Sequence, residues 1–286
     1  MKKVYSLAAL TILLWSTSAT VSKLLLGSLD SLQVLCISAL FAALFLLILI
    51  IANGRIKLLK TYKPKDYLNI ALISLPGTFL YYVFLYAGMD RMPASQAMIT
   101  NYLWPIMSVV FACILLKEKM TVRKGIAIVV SFVGMMIVVG GNFDARSSTL
   151  FGTVCCLLAA VSYGLFTALN QRFHYDKQIA MMFYNLVAFI LTGLILVFTG
   201  SIPRLNLLQT VGMGYNGICN MAIASTAWAV ALDSGKTAKI SNLAYITPFL
   251  SLVWAAIVLK EEISIFSILG LVVIVAGIFV QIKDKT

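Results

Sequence analysis

The sequence predicts an all-α polytopic membrane protein of ten transmembrane helices, arranged as two inverted five-helix repeats, and three observations carry that prediction. Hydrophobic residues fill 61% of the 286 positions and charged residues only 11%, with a mean hydropathy of +0.99, far outside the composition of a water-soluble domain. Apolar runs of about 20 residues, enough to cross a hydrocarbon core of about 30 Å, recur from end to end with short polar gaps. The chain also matches itself at an offset of 143 residues: Asp90 falls on Asp233, Tyr102 on Tyr245, Pro105 on Pro248, Ser108 on Ser251, Ala112 on Ala255, Lys117 on Lys260, Glu118 on Glu261 and Gly134 on Gly277. The duplicated units are then residues 1–143 and 144–286. With five spans each, the second enters the bilayer from the opposite side.

The spans fall near 4–24, 33–52, 68–89, 94–116, 122–140, 152–171, 179–199, 209–231, 238–259 and 264–282. The first follows Lys2 and Lys3 as a secretory signal would, but Trp15, Ser16 and Ser18 interrupt its apolar run and nine spans follow, so it reads as a retained helix. Trp15, Ser18 and Ser22 form a stripe along it. The third span carries Thr78, Tyr82 and Tyr86 at four-residue spacing, and the sixth carries Tyr163, Phe166, Thr167 and Asn170. In the fourth and ninth, Ser108/Ala112 and Ser251/Ala255 are small-xxx-small pairs that let helix backbones approach closely. The eighth is the most polar, with Asn216, Asn220, Ser225 and Thr226, and is expected to face protein or a wet cavity. The second, fifth, seventh and tenth rest on apolar length.

Charge placement fits this order. With the N-terminus inside, the cytoplasmic segments hold seventeen cations: Lys2, Lys3, Arg55, Lys57, Lys60, Lys63, Lys65, Lys117, Lys119, Arg123, Lys124, Arg172, Lys177, Lys236, Lys239, Lys283 and Lys285. The other side holds five: Lys23, Arg91, Arg146, Arg204 and Lys260. Both termini are therefore expected in the cytoplasm of a multi-pass protein in a bacterial-type plasma (inner) membrane. The net charge of +12 is read as a topology signal and a contact with anionic lipid headgroups, not as a nucleic-acid footprint.

Pro105 and Pro248 lie at matched places inside two spans, and each lacks the N–H that would bond the carbonyl four residues earlier, those of Asn101 and Ala244. Such breaks are expected to face a cavity, water or another helix, and symmetric breaks point to a binding site near mid-membrane. The competing reading is a structural kink whose freed carbonyl is satisfied by a neighbour. Around the breaks gather Asn101, Trp104 and Ser108, then Asn242 and Tyr245, with Asn220 and Trp228 on one face of the eighth span. Rings with a few amides and hydroxyls suit a flat, partly apolar solute with a polar end, and an ammonium could rest on an aromatic face or a freed carbonyl. Some rings, such as Tyr5, Tyr62 and Tyr67, belong instead at the membrane interface.

Asp30, Asp66, Asp90, Glu118, Asp144, Asp176, Asp233, Glu261, Glu262 and Asp284 all map to loops or helix ends, so the intramembrane carboxylate relay of many pumps is missing. His174, the lone histidine, sits in a short loop with Arg172 and Asp176 and reads as solvated. Cys36, Cys113, Cys155, Cys156 and Cys219 show no metal-ligand spacing and read as small packing residues. No catalytic residue, metal or cofactor is expected. An enzyme would need paired acids, a histidine constellation or a metal cluster; a channel or receptor suits the repeat and the kinks less well than alternating access does.

At Asn101-Tyr102-Leu103-Trp104-Pro105 the chain resembles the drug/metabolite transporter superfamily, EamA branch, and within it the bacterial aromatic amino acid exporters. Leu14-Trp15-Ser16-Thr17, Ala227-Trp228 and Tyr245-Ile246-Thr247-Pro248 extend the resemblance over nearly the whole chain. It implies a basket-like bundle with a central cavity that exports amino acids, aromatic ones above all, and related metabolites; other members move other metabolites or drugs. By motif position it carries over Trp15, Asn101, Tyr102, Trp104, Pro105, Trp228, Tyr245 and Pro248. Tyr163 stands where the exporters have Trp, and Ala229 follows Trp228 where they have Asn. The expected site is Trp15, Tyr82, Asn101, Trp104, Tyr163, Trp228 and Tyr245 on the solute, with Pro105 and Pro248 shaping the helices that gate it. The expected partners are a small-molecule substrate and membrane lipid; the sequence sets no oligomeric state, and a monomer suffices.

Overall fold

Residues 2–141, 147–173, 175–232, 243–244 and 246–282 are described by the computed structural model. His174, Asn242 and Tyr245 lie outside them, as do Asp144, Arg146, Asp233, Lys236, Lys239, Lys283, Asp284 and Lys285. Every regular element among the described residues is helical. Seven helices are long and apolar enough to cross a membrane: α1 (Lys2–Leu26), α2 (Ser31–Ala52), α3 (Pro64–Arg91), α4 (Ala94–Leu115), α5 (Val122–Gly141), α6 (Ser147–Arg172) and α7 (Lys177–Thr199).

The remaining helices correct the expected count of ten. The stretch 207–232, α8, contains a nine-residue π-helical run, Asn216–Ala224, that buries Asn216 and Asn220, while Leu207, Leu208 and Val211 at its start are exposed; it is not among the helices apolar enough to count as a crossing. Among the described residues, the apolar helix α9 (Ile246–Leu259) and the apolar part of α10 (Ile265–Ile282), Ile265–Gly277, fall short of the roughly 20 residues a bilayer core demands. The described helices thus give seven candidate crossings, and they do not establish the inverted five-plus-five arrangement. The 143-residue match is visible in local geometry: Lys117 and Lys260 both adopt left-handed backbone, with φ of 58° and 56°, rare for a residue with a Cβ. The next amide in each case reaches back six residues, Glu118 N–H to the Ala112 carbonyl and Glu261 N–H to the Ala255 carbonyl.

Proline and glycine set the helix breaks. In α3, Pro76 and Gly77 fall in a π-helical turn, Leu75–Phe79, that inserts one residue into the helical register. In α4, the helix stops at Asn101 and restarts at Trp104, which puts Pro105 in the first turn of the new segment, where a missing N–H costs nothing. Pro248 likewise lies in the first turn of α9.

Small residues then let the helices close on one another. Gly134 in α5 faces the Gly270 carbonyl and Ile274, and Gly277 faces Ala127 and Ser131, so α5 and α10 run in near backbone contact. The Ser131 hydroxyl donates to the Ile274 carbonyl at 3.3 Å across that seam. Helix α6 packs between α3 and α4, with Gly88 against Cys156 and Gly164 against Met107 and Ser108. Ser251 donates to the Ser16 carbonyl on α1 at 3.0 Å. The small-xxx-small positions are thus packing positions. The free cysteines are buried or half-buried among these contacts.

Candidate functional site

A cavity opens where α1, α3, α4, α6, α7 and α8 converge, enclosing about 770 Å³ of empty space with its mouth included. Its wall is Trp15, Ser18, Gly77, Thr78, Tyr81, Tyr82, Leu85, Met98, Asn101, Tyr102, Trp104, Tyr163, Phe166, Met181, Asn185, Met221, Ser225 and Thr247. None of these carries a charge. Its rings form one connected series: Trp104 meets Tyr163 edge-on with centroids 5.0 Å apart, Tyr163 meets Tyr81 at 4.7 Å, Tyr81 meets Tyr82 at 4.8 Å, and Tyr163 meets Phe166 at 5.5 Å. Two of these pairs, Trp104–Tyr163 and Tyr81–Tyr82, are edge to face and the other two are tilted, arrangements that aromatic rings favour over a face-to-face sandwich.

The break in α4 places two of these groups. Asn101 ends one helical segment and Trp104 begins the next, so both reach the cavity from a single short linker. The Asn101 amide donates to the Tyr81 hydroxyl at 3.2 Å. Gly77 is required opposite: a Cβ there would collide with the Phe166 ring. The carbonyl that Pro248 cannot serve, that of Ala244, accepts from Thr247 N–H at 3.0 Å and from the Tyr102 hydroxyl at 3.0 Å. Tyr102 therefore ties the α4 break to the start of α9.

Of the residues singled out from sequence, Trp15, Tyr82, Asn101, Trp104 and Tyr163 stand together on this wall. Trp228 does not. It is buried behind Trp15, ring centroids 5.5 Å apart, in a cluster with Ala8, Ala231 and Ala244, so it braces the wall from outside. Tyr245 lies outside the described residues. Pro105 and Pro248 are buried at helix starts. Thr167 bonds its own helix at the Tyr163 carbonyl, and Asn170 accepts from Tyr184 at 2.9 Å.

Asn220 and Tyr86 join a separate polar cluster between α1, α2, α3 and α8. Asn216 Nδ2 donates to the Tyr86 hydroxyl at 2.7 Å and to Ser38 Oγ at 3.5 Å, and Asn220 Nδ2 donates to Asn216 Oδ1 at 3.3 Å.

Two hydrogen-bonding wall residues, Tyr81 and Asn185, escaped the sequence reading, as did the apolar Gly77, Leu85, Met98, Met181 and Met221. Tyr81 was hidden by the four-residue spacing of Thr78, Tyr82 and Tyr86; the π turn just before it shifts the register so that neighbouring tyrosines both reach the cavity, and Pro76-Gly77 in mid-span was the available sign. Asn185 is a buried amide within an apolar span, itself a functional flag. Among the described residues no group of three or more His, Cys, Asp or Glu side chains could hold a metal ion.

A model of the EamA-like transporter family matches residues 2–140 and again 150–282. The chain is 26% identical to an uncharacterized transporter of Clostridium kluyveri, over all of this chain and 94% of that one. It is 27% identical to an uncharacterized transporter of Bacillus subtilis, over 82% of this chain and 81% of the other. A probable amino-acid metabolite efflux pump of Escherichia coli is 21% identical over 77% of this chain and 78% of its own. A crystal structure at 18% identity superposes with a TM-score of 0.72 over 99% of each chain, a likeness of fold.

Proposed function

The chain belongs to the EamA-like transporter family, whose members are transporters rather than enzymes, and from that premise we propose that it exports neutral amino acids, aromatic ones above all, by alternating access. The observation that carries this reading is the uncharged, ring-lined cavity among membrane-crossing helices. Trp104, Tyr82 and Trp15 would stack on the solute's side chain, Asn101 would hydrogen-bond its polar end, and Tyr163 would set the depth of the pocket. Tyr245 and Pro248 enter by motif, Trp228 by bracing Trp15, and Pro105 and Pro248 by fixing where two helices restart and flex. The Escherichia coli efflux pump of similar sequence supports an amino-acid-type solute. A different metabolite or drug is the alternative the family allows.

The protein is a multi-pass membrane protein. We place its N-terminus in the cytoplasm because the loops on that side of the seven crossings hold most of the cations, among them Arg55, Lys57, Lys60, Lys63 and Lys65. The matched halves, 1–143 and 144–286, would be two related EamA-type units.

Counterflow in proteoliposomes tests the proposal. Purified protein loaded with unlabelled phenylalanine is expected to accumulate radiolabelled phenylalanine or tryptophan, and Trp104→Ala to abolish that exchange while inserting normally. Full exchange by a well-expressed Trp104→Ala protein would overturn the assignment of the cavity; no exchange of any amino acid would overturn the choice of solute.

A further inference from the structure

Among the described residues on the cavity wall, three side-chain atoms have no hydrogen-bond partner: Asn101 Oδ1, Asn185 Oδ1 and Thr247 Oγ1. Their residues are 1%, 2% and 1% exposed. The orientation of Asn185 is fixed by chemistry. Its Nδ2 donates to the Met181 carbonyl at 2.8 Å, and a carbonyl can only accept, so the amide oxygen is the end left over. Asn101 turns its Nδ2 to the Tyr81 hydroxyl and likewise leaves its oxygen. A buried acceptor without a donor is costly, and a solute that brings N–H groups recovers that cost on binding.

The wall offers no matching provision for an anion. Among the described lining residues there is no Lys, Arg or His. A carboxylate entering here would find neutral donors, the hydroxyls and the indole N–H groups of Trp15 and Trp104, but no opposite charge to offset its lost hydration. A protonated amine would find the amide oxygens of Asn101 and Asn185 and the hydroxyl of Thr247 as acceptors on a wall that also carries the rings of Trp104, Tyr81 and Tyr163.

Building on the assignment of this cavity as the transport site, we infer that it holds its solute by a protonated amine and gives a carboxylate no counterpart. Arylalkyl amines without a carboxylate therefore bind more tightly than the zwitterionic amino acids that share their side chains. An amino acid is carried by its ammonium end.

The test is competition in the phenylalanine counterflow assay, using phenethylamine and 3-phenylpropionate, which each keep one of the two charged ends. Phenethylamine is expected to inhibit at about tenfold lower concentration than unlabelled phenylalanine, and 3-phenylpropionate to have no effect at about tenfold excess. Asn185→Leu removes one acceptor and is expected to raise the half-inhibitory concentration of phenethylamine about tenfold. Thr247→Val, a nearly isosteric change, provides a second variant if Asn185→Leu does not fold, and is expected to weaken phenethylamine by about threefold. Phenylalanine exchange that 3-phenylpropionate blocks as well as phenethylamine does, or that phenethylamine leaves untouched, overturns this inference while the transport reading stands. Exchange of radiolabelled phenethylamine without exchange of phenylalanine overturns the amino-acid reading and upholds this one. Exchange of neither overturns both.

Discussion

A single amide, Asn216, shows how much one residue can hold inside this bundle. Its Nδ2 serves both the Tyr86 hydroxyl and Ser38, while its Oδ1 accepts from Asn220, so three neighbours on α2, α3 and α8 depend on it. One hydrogen bond between membrane helices contributes on average about 0.6 kcal/mol, so Tyr86→Phe, which deletes one bond, is expected to cost about 1 kcal/mol. Asn216→Leu deletes all three bonds and strands buried partners at about 1–3 kcal/mol each, so it is expected to cost at least about 3 kcal/mol in total. Unfolding of purified protein in mixed micelles measures both. Equal costs for the two variants would mean that the cluster is hydrated in the folded state. This amide was visible in the sequence as a polar residue in the eighth span, but its partners were not, because Ser38 is 178 positions away and no local rule connects them.

At the scale of a helix, α8 offers an internal comparison between two glycines three residues apart. A Cβ on Gly217 would press into the Ser38 carbonyl, backbone that cannot rotate away, whereas a Cβ on Gly214 meets nothing within 4 Å. Gly217→Ala is therefore expected to destabilise by about 1–3 kcal/mol through overpacking. Gly214→Ala is expected to stabilise by about 0.5–1 kcal/mol, since alanine is the better helix former. The apparent melting temperature in detergent should fall for the first and rise or hold for the second. The same scale explains the breaks. Prolines 105 and 248 are tolerated because each opens a helical segment rather than interrupting one, and Ala244 regains a donor from Tyr102. Of the two sequence readings of the prolines, the satisfied kink describes Pro248, and the break beside Pro105 is what delivers Asn101 and Trp104 to the cavity.

Across the whole molecule, one face is fastened by side chains that bridge distant segments. The Glu261 carboxylate, in the loop after α9, accepts from Ala94 N–H at 2.7 Å, Ser95 N–H at 3.0 Å and Ser95 Oγ–H at 2.6 Å, capping the start of α4. Lys23 at the end of α1 donates to the carbonyls of Met89 and Met92, closing the end of α3 beside it. A carboxylate at a helix N-terminus gains from the charged hydrogen bonds and from the helix dipole together. Glu261→Gln keeps one acceptor oxygen and loses the charge, so it is expected to cost about 1–2 kcal/mol; Glu261→Ala should cost more. Chemical unfolding of the two variants beside the parent protein measures the difference, and an unchanged midpoint for Glu261→Ala would remove this contact from the account of the fold.

The sequence by itself determined the solvent of this protein, the seven long apolar helices to within a few residues, the family string at residues 101–105 and five of the residues that gather around the cavity. These are local properties, since hydropathy, proline chemistry and motif spelling can be read without knowing what any residue touches. Only the tertiary structure decided that α8 carries a π-helical run with buried Asn216 and Asn220, and that seven of the described helices are long and apolar enough to count as crossings. It alone set Trp228 behind the wall and brought Tyr81 and Asn185 onto it. The physical reason is rotation. Which face of a helix meets the cavity depends on every π turn and break before it and on the glycines that let neighbours close in, and a one-residue shift in register turns a helix by about 100°.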